Sequence, residues 1–167
     1  DRWEDVLPPE LADAHRQDLT VNYRSPSEIH ELAVAVLADY APSITPAIAL
    51  RSSGFTPQFH AVAAVASALD RLVEEALADV GGLVAVIAAS VDTIGFTHQD
   101  SAETGRVRFL TPDQAKGLEF DAVVLIEPSE IWEPAGGGAR LYIALTRATQ
   151  RLSILHANPL PAPLQPR

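Results

Sequence analysis

Two uninterrupted apolar runs, Leu83-Val84-Ala85-Val86-Ile87-Ala88 and Ala122-Val123-Val124-Leu125-Ile126, constrain this chain more than any other feature. A strand with one wet face alternates apolar and polar residues. A short run without alternation reads as a strand buried on both faces, the signature of a parallel sheet covered by helices. Further strand candidates are Leu19–Tyr23, Ala47–Arg51, Val107–Thr111 and Arg151–His156. Between them lie helical periods. Ser25-Pro26-Ser27-Glu28 has the spacing of a capping box and opens a helix to about Tyr40, with Ile29, Leu32, Ala33, Val36 and Leu37 on one face. A long Ala-rich helix is expected from Pro57 to Asp79, where Phe59, Val62, Val65, Ala66, Leu69, Leu72 and Val73 recur at helical spacing. A third helix is expected over Arg140–Ala148, after a surface loop or insertion point spanning Glu127–Gly138. The expected fold class is α/β, with a mostly parallel sheet of about six strands sandwiched between helices.

Composition limits what such a domain can do. The 167 residues are the size of one domain with a real core. A net charge of −10, from 12 basic and 22 acidic side chains, is wrong for a module that coats nucleic acid by itself. The absence of Cys removes disulfides, thiolate metal sites and cysteine nucleophiles. No apolar run is long enough to span a membrane, so the expected compartment is the cytosol. The chain opens Asp1-Arg2-Trp3 and contains no Met, which reads as a domain excised from a longer protein. Residues 1–18 form a polar lead-in, 19–157 the domain, and 158–167, with Pro at 159, 161, 163 and 166, a loose tail.

In open α/β sheets, ligands bind where strands end and helices begin. Three places put functional side chains at such junctions: Arg24, the segment Lys116-Gly117-Leu118-Glu119-Phe120-Asp121, and Thr146-Arg147. Arg147 follows the apolar stretch Leu141–Leu145, so its guanidinium is expected to be buried and to need an anion. That anion is either an internal carboxylate or the phosphate of a ligand, which a planar guanidinium can grip at two oxygens. Arg24, ahead of a helix start, is either a solvated surface arginine or a second phosphate-binding group, and Tyr23 is either core or a flat face for a base. No G-x-x-x-x-G-K-[ST] loop exists to cradle phosphates. Gly136-Gly137-Gly138 lacks the following Lys, the five His are scattered without metal-ligand spacing, and no G-x-S-x-G elbow occurs. The chain holds half of an anion site.

Three segments resemble, in the right order, the motifs of UvrD/Rep-like superfamily 1 helicases. Leu19-Thr20-Val21-Asn22-Tyr23-Arg24-Ser25 is similar to their fourth motif. Thr111-Pro112-Asp113-Gln114-Ala115-Lys116-Gly117-Leu118-Glu119-Phe120-Asp121 is similar to the fifth, and Leu141-Tyr142-Ile143-Ala144-Leu145-Thr146-Arg147-Ala148 to the sixth. The forms of the last two are most similar to the HelD-like (helicase IV-like) branch. The resemblance implies a three-layer α/β/α RecA-like domain, the second of two motor lobes that share ATP and Mg2+ in the cleft between them. The phosphate loop and the Mg2+ ligands would lie on a first lobe outside this chain, and no metal site is expected here.

By the same resemblance, Arg24 and Arg147 act as arginine fingers on the γ-phosphate. Tyr23 stacks near the adenine, Glu119 bonds the ribose, Gly117 lets the backbone approach the nucleotide, and Lys116 supports that loop. Asp113 and Gln114 face single-stranded DNA. The isolated domain is expected to be a monomer, without ATPase activity of its own. Little room lies between Thr20 and Thr111 for the inserted subdomain of UvrD, which fits the HelD-like branch, some of whose members act on RNA polymerase. An RNA-polymerase remodeller is therefore one alternative, and a non-enzymatic interaction module with the same fold is another.

Overall fold

The computed structural model describes residues 8, 10, 20–91 and 105–165. Most of the lead-in over 1–18, Leu19 and the last two residues lie outside them. Among the described residues the elements run β1 (Val21–Asn22), α1 (Ser27–Tyr40), β2 (Ile48–Ala49), β3 (Gln58–Ala61), α2 (Ala66–Asp79), β4 (Val84–Ile87), β5 (Val107–Leu110), β6 (Phe120–Ile126), α3 (Pro128–Trp132), α4 (Gly137–Leu145) and β7 (Ala148–His156). Five strands form the main sheet in the order β3-β7-β6-β4-β5, and every pair is parallel. β1 and β2 form a separate two-stranded parallel sheet.

The apolar runs explain the layers. Successive side chains of a strand point to opposite faces. Ala85, Ile87, Val123 and Leu125 meet Ile29, Ala33 and Val36 of α1 and Leu141 and Leu145 of α4. Val84, Val86, Ala122, Val124 and Ile126 meet Leu69, Leu72 and Val73 of α2 on the other side. All four residues of β4 are buried, so neither face of that strand reaches water. The α/β expectation holds as a three-layer α/β/α domain.

Several boundaries differ from the sequence reading, each for a physical reason. The helix expected over Pro57–Asp79 is two elements. Gln58–Ala61 pairs with Ser153–His156 as an edge strand, and the helix begins at Ala66. Phe59 and Val62 fit a helical period, but a free strand edge on β7 offers the backbone a ladder, and pairing outweighs local propensity. α4 begins at Gly137 and ends at Leu145, so Ala148 belongs to β7 and Arg147 lies in the turn between helix and strand. The expected loop over Glu127–Gly138 contains α3, whose Ile131 is buried. The tail is packed over its described part: Leu164, in a 3-10 turn over Ala162–Leu164, joins the core beneath α1, with Leu160 against it.

The capping box also reads differently. Pro26 is the residue before the helix and no side chain caps α1. Glu28 turns instead to the Ser52–Gly54 loop, where it accepts hydrogen bonds from the Ser52 hydroxyl, the Ser53 amide (3.2 Å) and the Gly54 amide (3.0 Å). Of the three consecutive glycines, Gly136 takes φ +77° ahead of α4, and the other two serve packing. A Cβ on Gly137 would overlap the backbone carbonyl oxygens of Ile131 and Trp132, and one on Gly138 would strike the Tyr40 side chain. The close approach of α4 to α3 and α1 therefore depends on bare backbone. Gly137→Ala is expected to lower stability by about 1–3 kcal/mol through overpacking, read as a lower urea midpoint. An unchanged midpoint would show that the α3–α4 turn yields without cost.

Candidate nucleotide-binding site

β6 and β7 are parallel neighbours with Phe120 opposite Ala148, so the segments leading into them lie side by side. One is the Thr111–Glu119 loop and the other is Thr146-Arg147. The chemistry thus gathers at the N-terminal ends of β6 and β7, not at strand C-termini as the general rule for open sheets suggested. The backbone enforces this, because the Phe120 amide donates to the Arg147 carbonyl (3.0 Å).

Arg147 is 9% exposed. Its Nε donates to the Ile143 carbonyl (3.1 Å), one Nη to the Leu118 carbonyl (2.9 Å) and the other to Thr146 Oγ1 (3.2 Å). Among the described residues no carboxylate forms an ion pair with it, so neutral oxygens satisfy the fork while the charge stays uncompensated by contact. Burial lowers its pKa from the ordinary arginine value, and the Arg24 charge lowers it further, whereas Glu119 and Tyr142 oppose that trend. The internal-carboxylate reading of Arg147 therefore gives way to carbonyl anchoring. Thr146 fixes the turn by donating from Oγ1 to the Tyr142 and Ile143 carbonyls (2.9 and 3.1 Å).

Arg24 meets this group from the other side, with its Nε 3.1 Å from Glu119 Oε2. Asn22 builds the turn that carries it. Asn22 Oδ1 accepts from the Arg24 amide (2.9 Å) and the Ser25 amide (3.2 Å), a local turn typical of Asn. Those bonds orient the carboxamide, so its Nδ2 donates to His30 Nδ1 (3.1 Å), and His30 Nε2 donates to the Ala47 carbonyl (2.7 Å). Tyr23 projects into solvent at 71% exposure and is not core.

The rest of the loop falls into supporting roles. Gly117 has φ +78°, a left-handed conformation that lets the chain reverse ahead of Glu119, and a Cβ there would meet nothing within 4 Å. The requirement is conformational, and the space left open is free for a ligand. Lys116 Nζ lies 3.3 Å from Asp113 Oδ1, and Arg140 Nε lies 3.1 Å from Asp113 Oδ2. Lys116 first, and Arg140 second, hold the Asp113 carboxyl below its ordinary pKa. Gln114 closes the turn on Thr111, its Oε1 accepting from the Thr111 amide (2.9 Å) while its own amide donates to Thr111 Oγ1 (3.3 Å).

The structure thus joins Arg24, Glu119 and Arg147 in one group, leaves Tyr23 exposed beside it, and sets Lys116 with Asp113 and Arg140. Sequence reasoning missed Asn22, Arg51 and Arg140 as parts of the site. An Asn closing a short strand shortly before a helix start is a readable turn signal for the first, whereas the other two become visible only through contacts distant in sequence. Two concavities, one of about 930 Å3 between α1, β3 and the tail and one of about 240 Å3 beside Arg151, contain none of Arg24, Glu119 or Arg147.

A five-stranded parallel sheet covered on both sides, with Glu119 at the lead into β6 and Arg147 at the lead into β7, defines a RecA-like α/β/α domain. Residues 38–156 match the family described as viral superfamily 1 RNA helicase core domain, and the chain belongs to that family. The matched span includes the Thr111–Glu119 loop and Arg147 and begins after Arg24. The fold is similar to the C-terminal domain of a possible DNA helicase from Lactobacillus plantarum WCFS1, at 18% identity over 86% of this chain and 92% of that one, with TM-score 0.62. The PRRSV helicase is more distantly similar, at 18% identity and TM-score 0.45, over 88% of this chain and 25% of that one. No curated protein matches the sequence. No helix among the described residues is long and apolar enough to cross a membrane.

Glu28 supplies a pH test of the scaffold behind Arg24. The Ser52 hydroxyl above all, then the Glu28 amide and those of Ser53 and Gly54, lower its pKa from 4.5 to about 2. A depressed carboxylate pKa stabilises the fold fully above its unfolded value and loses that effect as pH falls through the folded one. The Ser53 and Gly54 amide resonances are expected to stay in place on acidification through pH 4.5 and to move only near pH about 2. Movement centred at the ordinary carboxylate value would show that Glu28 does not hold this loop.

Proposed function

We propose that this chain is the second motor lobe of an ATP-dependent superfamily 1 helicase or translocase of the UvrD/Rep-like kind, nearest the HelD-like branch. It would supply arginine fingers and nucleotide contacts to an ATP site shared with a first lobe outside this chain. The observation that carries this reading is the placement of two guanidiniums on consecutive residues of one loop: Arg147 on the Leu118 carbonyl and Arg24 on the Glu119 carboxylate. A buried guanidinium held only by neutral oxygens keeps an uncompensated charge, which suits a polyphosphate.

In this reading Arg147 is held ready by neutral oxygens, so it need not break an ion pair to meet charge developing on the transferring phosphoryl group. Preorganised donors of this kind stabilise a transition state without reorganisation at the moment of reaction. Arg24 would contact the same group after exchanging Glu119 for phosphate oxygens, which frees Glu119 to bond the ribose. Tyr23 would stack on the base and Gly117 would admit the nucleotide to the backbone. Lys116 acts indirectly, through Asp113. Mg2+ would be held by the first lobe. Asp113 and Gln114 are engaged with Arg140, Lys116 and Thr111, so a contact with single-stranded DNA would come from the loop as a unit. A first lobe of the same protein and single-stranded DNA are the proposed partners, in the cytoplasm.

Two substitutions test the assignment in the full-length protein. Arg147→Ala is expected to lower ATP turnover by about a thousandfold or more, and Arg147→Lys, which keeps charge but loses the fork, is expected to recover little. Near-native turnover in either would remove the finger role. Glu119→Ala is expected to raise the KM for ATP more than it lowers kcat, and an effect on kcat alone would contradict the ribose contact. ATPase assays with and without single-stranded DNA check the motor reading itself: a silent 167-residue chain beside a DNA-stimulated parent is the expected pair of results.

A further inference from the structure

The two arginines of the candidate site are anchored very unequally. Arg147 is buried and tied to the main sheet through the Leu118 carbonyl. Arg24 is carried by the β1–β2 sheet, in which only Val21 and Asn22 pair with Ile48 and Ala49. A ladder of two residues per strand is a weak platform. Whatever fixes it to the main sheet decides whether both guanidiniums can reach one phosphoryl group.

Arg51 makes that connection. It follows β2, its carbonyl accepts from the Ser27 amide at the start of α1 (2.7 Å), and its Nη2 donates to two backbone carbonyls. One carbonyl belongs to Arg24 itself; the other belongs to Thr149, at 2.5 Å, two residues after Arg147 on β7. A single guanidinium nitrogen thus spans the residue that carries one finger and the strand that begins just after the other. Asn22 holds the Arg24 amide while Arg51 holds its carbonyl, so both peptide groups of Arg24 are restrained. The acceptors are neutral, as they are for Arg147, which is the pattern of a spacer more than of charge pairing.

We infer that Arg51 is a positioning residue: it braces the Arg24 turn against β7 and thereby sets the separation of Arg24 from Arg147. This role rests on the nucleotide-site reading above. Hydrogen bonds at an exposed guanidinium contribute little to global stability. A misplacement of about 1 Å can nevertheless cost about a hundredfold in rate, so the two effects separate.

The test has two arms. In the 167-residue chain, Arg51→Ala is expected to leave the unfolding midpoint and the exchange of β4 and β6 amides unchanged, while the Arg24 and Ser25 amides exchange at least about tenfold faster through local opening. In the full-length protein, Arg51→Ala is expected to lower kcat by about ten- to a hundredfold with little change in the KM for ATP. Arg51→Lys, which can still donate to both carbonyls, is expected to restore part of the loss. Unchanged exchange at Arg24 and Ser25 overturns the brace. Native kcat in Arg51→Ala, beside an inactive Arg147→Ala, overturns the positioning role and leaves the nucleotide site standing. A native full-length protein that does not hydrolyse ATP overturns the nucleotide-site reading, and this role with it.

Discussion

Parallel pairing of β6 with β7 governs the arrangement of everything that carries charge. Adjacent parallel strands start at the same edge of a sheet, so the peptides that lead into them become neighbours however far apart they lie in sequence. Here those peptides are the Thr111–Glu119 loop and the Thr146-Arg147 turn, stitched together by the Phe120 amide on the Arg147 carbonyl and by the Arg147 guanidinium on the Leu118 carbonyl. The pairing survives because both faces of the sheet are dry. α1 and α4 cover one face and α2 covers the other, so both side-chain sets of β4 and β6 are kept from water.

A buried guanidinium without a carboxylate is costly unless its N–H groups are satisfied. Arg147 meets that condition with three oxygens that carry no net charge. The Asp113 group works in the opposite way. There a carboxylate takes up Lys116 and Arg140, so those charges are spent on holding the loop to α4. Both groups set two cations near one carboxylate, but Asp113 pairs with both of its cations, whereas Glu119 pairs with Arg24 alone and Arg147 rests on carbonyls.

The class of fold was legible because double-sided burial writes itself into sequence as unbroken apolar runs. Element boundaries were less so. Phe59, Val62 and Val65 satisfy a helical period, and only the unpaired edge of β7 turns Gln58–Ala61 into a strand. Glu28 has capping-box spacing, yet the Ser52–Gly54 loop offers it three donors that Ser25 does not. Gly136-Gly137-Gly138 looked like a loop without a partner lysine, and the reason for Gly137 and Gly138 is the contact of α4 with the α3 carbonyls and Tyr40. In each case local pattern left two states close in energy, and a distant contact chose between them.

By itself the sequence determined the layered α/β class, the residue types of a candidate anion site, and their order along the chain, since these follow from local period and composition. It also singled out Tyr23-Arg24, Lys116–Asp121 and Thr146-Arg147 as candidate segments. Only the tertiary structure decided that Arg24 pairs with Glu119, that Arg147 rests on carbonyls and not on a carboxylate, and that Arg51 spans Arg24 and Thr149. Hydrogen bonds to backbone carbonyls leave no trace in sequence, because every residue supplies the same acceptor. Strand order and register alone determine which one a guanidinium finds.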